Sequence, residues 1–148
     1  MKCDKKQNGG IKFFALLVGL LYMMFGIIHI AEGIGVNTQV AAAIFVSADI
    51  LGGFCLVVIG MVFFHGFRQI NAGIDEGIAF VYVGMILSLV FMAVYALVGA
   101  GMLLDSFLLP EDYVQWHITD QLRPGMYLGI PVLAVFLVWK ERFTAVKL

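Results

Sequence analysis

Three ionisable side chains, His29, Glu32 and Asp49, sit within or at the edge of long apolar runs, where a charge is costly. A lone aspartate near the bilayer centre costs roughly 2.5–3.5 kcal/mol even on a lenient insertion scale. Such a residue is kept for a reason. Asp49 falls ten residues into the apolar run 39–65, which places it about 15 Å below the outer surface at helical rise. Counted from the same side, Gly26 of the first run and Tyr95 of the third reach a similar depth. Tyr95 is therefore the expected hydrogen-bond donor to Asp49. His29 and Glu32 are three residues apart and share one helix surface. Asp49 is expected about 7 Å deeper than His29, a gap that a water could bridge.

Two chemistries follow from this trio. In one, the polar residues are a pin that sets helix register. In the other they form a proton or cation pathway, with Asp49 titrating and His29 and Glu32 as its outer mouth. A dedicated metal site brings three or four ligands together at matched depth, so no metal is expected. His65 lies at the opposite level from His29, too far to share a haem, and no cofactor is expected. The chain also holds no C-x-x-C pair, G-x-x-x-x-G-K-[ST] loop, G-x-S-x-G elbow or H-E-x-x-H helix. That speaks against the familiar thiol oxidoreductases, phosphate-binding enzymes, hydrolases and zinc peptidases. Cys3 lies in a polar tail and Cys55 in an apolar run, so the two are not expected to pair.

The elements that must hold these residues are read from composition. Of 148 residues, 62% are hydrophobic and 13% charged, with a mean hydropathy of +1.01. A soluble domain carries about 25% charged residues, so lipid must be the solvent. The net charge of −1 offers no basic field to nucleic acid,. The reading is an all-α integral membrane four-helix bundle, one domain over 1–148, with spans at about 12–35, 39–65, 77–104 and 124–141. The apolar stretch Phe13–Ala31 has 19 residues. It exceeds the ~7–15 of a signal peptide and suits a retained first helix.

The turn at 33–38 makes the first two helices an antiparallel hairpin, and a polar link at 65–76 joins the second to the third. The third run holds 28 residues without Asp, Glu, Lys, Arg or His, so it should tilt or protrude. The fourth run is short and carries Pro131, which interrupts the hydrogen-bond ladder.

Eight of the nine Lys and Arg residues fall on one side of this threading, so both termini are expected in the cytoplasm, with the plasma membrane as the location. The outer loop at 105–123 is acidic. Its Pro110-Glu111-Asp112 is a helix-start signal for a short amphipathic segment with Trp116 as an interfacial anchor. Trp139 is the matching anchor on the inner side. The same segment could serve as a lid over an outward cavity.

Apolar groups gain little by meeting one another in lipid, so small residues that let backbones approach drive helix packing. Ala15, Gly19, Tyr22, Gly26, His29 and Gly33 follow at spacings of 4, 3, 4, 3 and 4, a heptad seam. The second run answers with Asp49, Gly53 and Gly60, and the third with Gly77, Gly84, Ser88 and Tyr95. The third run has a second small face in Ala93, Ala96 and Ala100. Two faces on one helix suit a homo-oligomer or another membrane protein as partner, besides the lipid bilayer itself. The expected function is a non-enzymatic subunit or interaction protein of a membrane complex. The alternative is a small oligomeric proton- or cation-linked transporter or channel built on Asp49.

Overall fold

The computed structural model describes residues 7–36, 49–108 and 124–144, and their side chains over 9–36, 49–108 and 124–139. Four helices make up the described chain: α1 Gln7–Gly33, α2 Ile50–Asn71, α3 Gly77–Leu108 and α4 Pro124–Thr144. There is no strand among the described residues. Helices α1, α2 and α3 are long and apolar enough to cross a bilayer, and α4 carries a shorter apolar stretch over Pro124–Trp139. Runs this apolar fold as helices because hydrocarbon offers no partner for a free backbone amide.

The helix ends are written in glycine. At the end of α1, Gly35 adopts φ +87, Val36 N–H donates to Ala31 O at 3.0 Å, and Gly35 N–H donates to Glu32 O at 3.0 Å. α2 closes in the same way on Gly73, with φ +79, through Ile74 N–H to Gln69 O at 3.0 Å and Gly73 N–H to Ile70 O at 3.1 Å. Both are Schellman closures, whose left-handed residue is cheapest as glycine. Asp75 and Glu76 follow the second closure and meet the positive end of α3.

Two boundaries correct the sequence reading. The second helix starts at Ile50 and runs to Asn71, later at both ends than the expected span 39–65. His65 is therefore inside a helix and not in a link; its Nε2 lies 3.0 Å from Gln69 Nε2, one turn on. The apolar run continues to the left of Asp49, and hydropathy alone does not register a capping aspartate as a helix start. The rest of the expected turn and the amphipathic outer segment with Trp116 lie outside the described residues, as do 37–48. As expected, Pro131 lies inside the fourth helix, α4.

Packing runs in chain order, α1 on α2, α2 on α3 and α3 on α4. The bundle closes through aromatic side chains, Phe14 to Trp139 at 5.5 Å and Phe25 to Tyr127 at 5.6 Å. Helices α1 and α2 touch backbone to backbone. A Cβ added to Gly26 would stand 2.8 Å from the Gly53 carbonyl oxygen, and one on Gly53 would stand 2.9 Å from that of Gly26. Gly60 and Gly19 repeat the contact two turns away, where a Cβ on Gly60 would lie 2.9 Å from Gly19 O. Gly33 closes on Ile50 at the far end. Because Gly19 meets Gly60 and Gly33 meets Ile50, the two helices are antiparallel.

A further glycine contact joins α2 to α3. A Cβ on Gly66 would be 3.0 Å from Gly77 O, and one on Gly77 would be 2.8 Å from Gly66 O. Gly84 receives the ring of Phe63, whose carbons would lie 3.2 Å from an added Cβ. The fully buried Tyr22, Leu56, Phe63, Val81, Met85 and Val132 fill the space between these contacts.

Candidate functional site

Asp49 is the N-cap of α2. Its backbone is extended, with φ −144 and ψ 93, and its Oδ1 accepts from the Gly52 N–H at 2.9 Å. Its carbonyl accepts the first helical bond, from Gly53 N–H at 2.9 Å. A capping carboxylate satisfies an amide that the helix cannot satisfy itself and faces the positive helix end.

The other carboxylate oxygen reaches α3. The Tyr95 hydroxyl donates to Asp49 Oδ2 at 2.9 Å, and the tyrosine passes so close to Gly52 that a side chain there would meet its hydroxyl. Phe91 holds the Tyr95 ring edge-on, with centroids 4.8 Å apart. From α4, Gly125 comes so near that a Cβ would lie 2.8 Å from Tyr95 Cδ2. Three helices thus meet at one aspartate and one tyrosine. Gly52, Phe91 and Gly125 complete this junction, and the sequence reading passed over all three. The only available signal was a glycine immediately after Pro124, at the start of the fourth apolar run.

The relative heights of the acidic and basic groups differ from expectation. His29 lies against Gly53, where an added Cβ would come within 2.8 Å of His29 Cβ. Gly53 is one turn inside α2 and Asp49 caps its start. Asp49 therefore lies about one helical turn, ~5.4 Å, nearer the Gly33 end than His29, and not deeper. The expected order assumed a helix counted from residue 39; the Gly26–Gly53 contact sets the actual register. His29 is buried, at 1% exposure. Glu32 is half-buried near the end of α1, and its carbonyl takes part in the Gly35 closure.

Two further polar groups lie deeper in the bundle. Ser88 is fully buried, and its hydroxyl donates to Gly84 O one turn back at 2.9 Å. Tyr22 is fully buried as well; its hydroxyl lies beside Ser88 but outside hydrogen-bond geometry, with no partner among the described residues. Among the described residues no three His, Cys, Asp or Glu side chains gather as a metal site. Trp139 packs edge-on against Phe14, so the end of α4 is tied to the start of α1. Trp116 is outside the described residues.

The arrangement offers a capped helix start, cross-linked to a second helix by a tyrosine hydroxyl and lying beside a buried histidine. No curated protein and no solved structure matches the chain. The helical bundle of apolar spans agrees with a comparison to known families: residues 5–141 fit the family model described as MJ0565 integral membrane domain, and the chain belongs to that family of integral membrane proteins.

Proposed function

We propose that this small integral membrane protein is a non-enzymatic subunit or interaction protein of a membrane complex, and that the distal part of α3 is its docking element. One observation carries the reading. From Gly77, packed on Gly66 and Ile70, to Tyr95, packed on Gly125 and bonded to Asp49, α3 accompanies the other helices. That length is roughly 27 Å at 1.5 Å per residue, close to the ~30 Å hydrocarbon core of a bilayer. Helix α3 then continues to Leu108, which adds roughly 20 Å.

This extension is apolar as far as Leu104, and Asp105 and Ser106 follow in its last turn. Leu97 is 73% exposed, Phe107 82% and Leu108 74%. Ala96 and Ala100 are exposed on either side of Leu97, and a Cβ on Gly99 or Gly101 would meet no described atom within 4 Å. Helix α3 outruns the described parts of the other helices, and its small residues suit close approach by another helix. The commitment of Asp49 to capping and to Tyr95 supports the same reading, since the residue already has a structural task.

The test is photo-crosslinking in the native membrane from a reactive residue placed at Leu97 or Phe107, with Phe13 as a control on the other side of the bundle. A single discrete protein adduct from the first two positions, absent from Phe13, is expected. Lipid adducts alone from all three positions would overturn the reading.

The transporter reading retains one observation in its favour, the buried His29 one turn from Asp49. Flux of protons or cations into liposomes that is lost in Asp49→Asn would support it, and no flux in the wild type would remove it. With eight of nine basic residues on one side, the charge pattern supports cytoplasmic termini in the plasma membrane.

A further inference from the structure

Helices α2 and α3 touch backbone to backbone at Gly66 and Gly77, beside the link 72–76, whose Gly73 takes φ +79. Farther along, the Phe63 ring stands between α2 and Gly84. Beyond it an apolar groove of about 290 Å³ opens between Phe54 and Val58 of α2 and Leu87 and Val94 of α3. At the far end a whole tyrosine side chain is needed to carry α3 to Asp49. The two helices therefore diverge from Gly66 and Gly77 towards Asp49 and Tyr95.

On either side of this divide the packing is closer. Helices α1 and α2 share backbone contacts at Gly19–Gly60 and Gly26–Gly53. Helix α4 seats Gly125 on Phe91 and Tyr95, and Gly129 on Met92, where an added Cβ would lie 2.7 Å from Met92 Cβ. Tyr82 of α3 also stacks on Phe136 of α4, with centroids 5.9 Å apart. Across the divide, α1 and α4 meet through rings, Phe14 with Trp139 and Phe25 with Tyr127. Contacts between rings can slide, and a short link at a helix end is where a hinge absorbs backbone rotation.

We propose that the α1–α2 and α3–α4 pairs are two halves that pivot about Gly66 and Gly77, with the Tyr95–Asp49 hydrogen bond as the latch that keeps the far end closed. Opening admits water to Tyr22 and Ser88, which are both fully buried. Tyr22 belongs to α1 and lies beside Ser88 of α3, so the two sit on opposite sides of the divide. Ser88 is seven residues from Tyr95, about 10 Å below the latch. The Tyr22 hydroxyl has no partner among the described residues. That unmet bond weakens the closed form, and water satisfies it in the open one. One hydrogen bond across the divide thus opposes one unmet hydroxyl within it, and small changes at either shift the populations of the two forms.

The full-length protein carrying Cys3→Ser and Cys55→Ala is placed in phosphatidylcholine nanodiscs. Ser88→Cys is then treated with a charged, water-soluble methanethiosulfonate. In separate samples, spin-label distances are measured from cysteines at Leu51 and Leu97 near the latch, Met61 and Val83 near the pivot, and Ile27 and Leu51 within one half, all of them exposed positions. Tyr95→Phe is expected to speed modification at least tenfold and to add a longer-distance population at the latch. The shift should be smaller near the pivot and absent within the half. Asp49→Asn keeps an acceptor for Tyr95 and should behave as the wild type. Adding Tyr22→Phe to Tyr95→Phe should slow modification again. A modification rate that does not depend on Tyr95, or a shift as large near the pivot or within the α1–α2 half as at the latch, would overturn the proposal.

Discussion

The Tyr95 hydroxyl donates to Asp49 Oδ2 across 2.9 Å and ties the middle of α3 to the N-cap of α2. The bond crosses two helices that are also held by Gly66 and Gly77 near their other ends. The pair is thus fastened at both ends, by a hydrogen bond at one and a backbone contact at the other. In such a lock the carboxylate matters for its geometry, and its substitutions should rank accordingly.

Asp49→Asn is expected to melt within about 0.5 kcal/mol of the wild type, since it keeps both the cap and an acceptor for Tyr95. Tyr95→Phe should cost about 1 kcal/mol, in the range of interhelical hydrogen bonds in membrane proteins. Asp49→Leu loses both interactions and should cost about 2 kcal/mol. Thermal unfolding of the three variants in one detergent checks the order, and three superimposable curves would remove the lock.

The glycines of the α1–α2 seam should be intolerant of a single methyl group. Gly26→Ala places a Cβ against backbone atoms of α2, which cannot rotate away, and overpacking of this kind costs about 1–3 kcal/mol. Gly53→Ala hits the same contact from the other side, so the double variant should lose less than the sum of the singles. Gly99→Ala, with open space around it, should be neutral or stabilise by up to about 1 kcal/mol through helix propensity. Melting curves that do not separate Gly26→Ala from Gly99→Ala would contradict the packing described above.

Tyr22 yields a prediction of the opposite sign. A buried hydroxyl without a partner costs about 1–3 kcal/mol, so Tyr22→Phe should leave stability unchanged or raise it. The ring contact with Phe63, at 6.2 Å between centroids, survives the change. A clear drop in melting temperature would show that the hydroxyl is bonded in solution.

Gly35 separates backbone strain from packing. Its surroundings are open while its φ is +87, so Gly35→Ala should cost about 1–2 kcal/mol through the left-handed backbone alone. Gly35→Asn should recover part of that loss, since asparagine enters this region more readily. Equal stability of the alanine and asparagine variants would argue against the Schellman closure.

Much of this architecture is present in the order of residues. The surplus of apolar side chains demands lipid and therefore helices, and the four-three spacing of Ala15, Gly19, Tyr22, Gly26 and His29 marks a face that the structure buries. These features are local: they depend on composition and on a period of 3.6 residues, which a chain carries without reference to its partners. Tyr95 could be paired with Asp49 by counting along the runs, although the count began from the wrong residue.

The height of Asp49 was decided only in three dimensions. Whether a carboxylate in an apolar run sits inside a helix or caps one depends on where the helix begins, and hydropathy does not mark that point. Its level relative to His29 depends on which glycine of α2 meets Gly26, a contact between residues far apart in sequence. Helix register in lipid is set by where two backbones can approach most closely, and that depends on both surfaces at once. The same is true of α3: its length is written in the sequence, but which of its residues the other described helices cover comes from the packing.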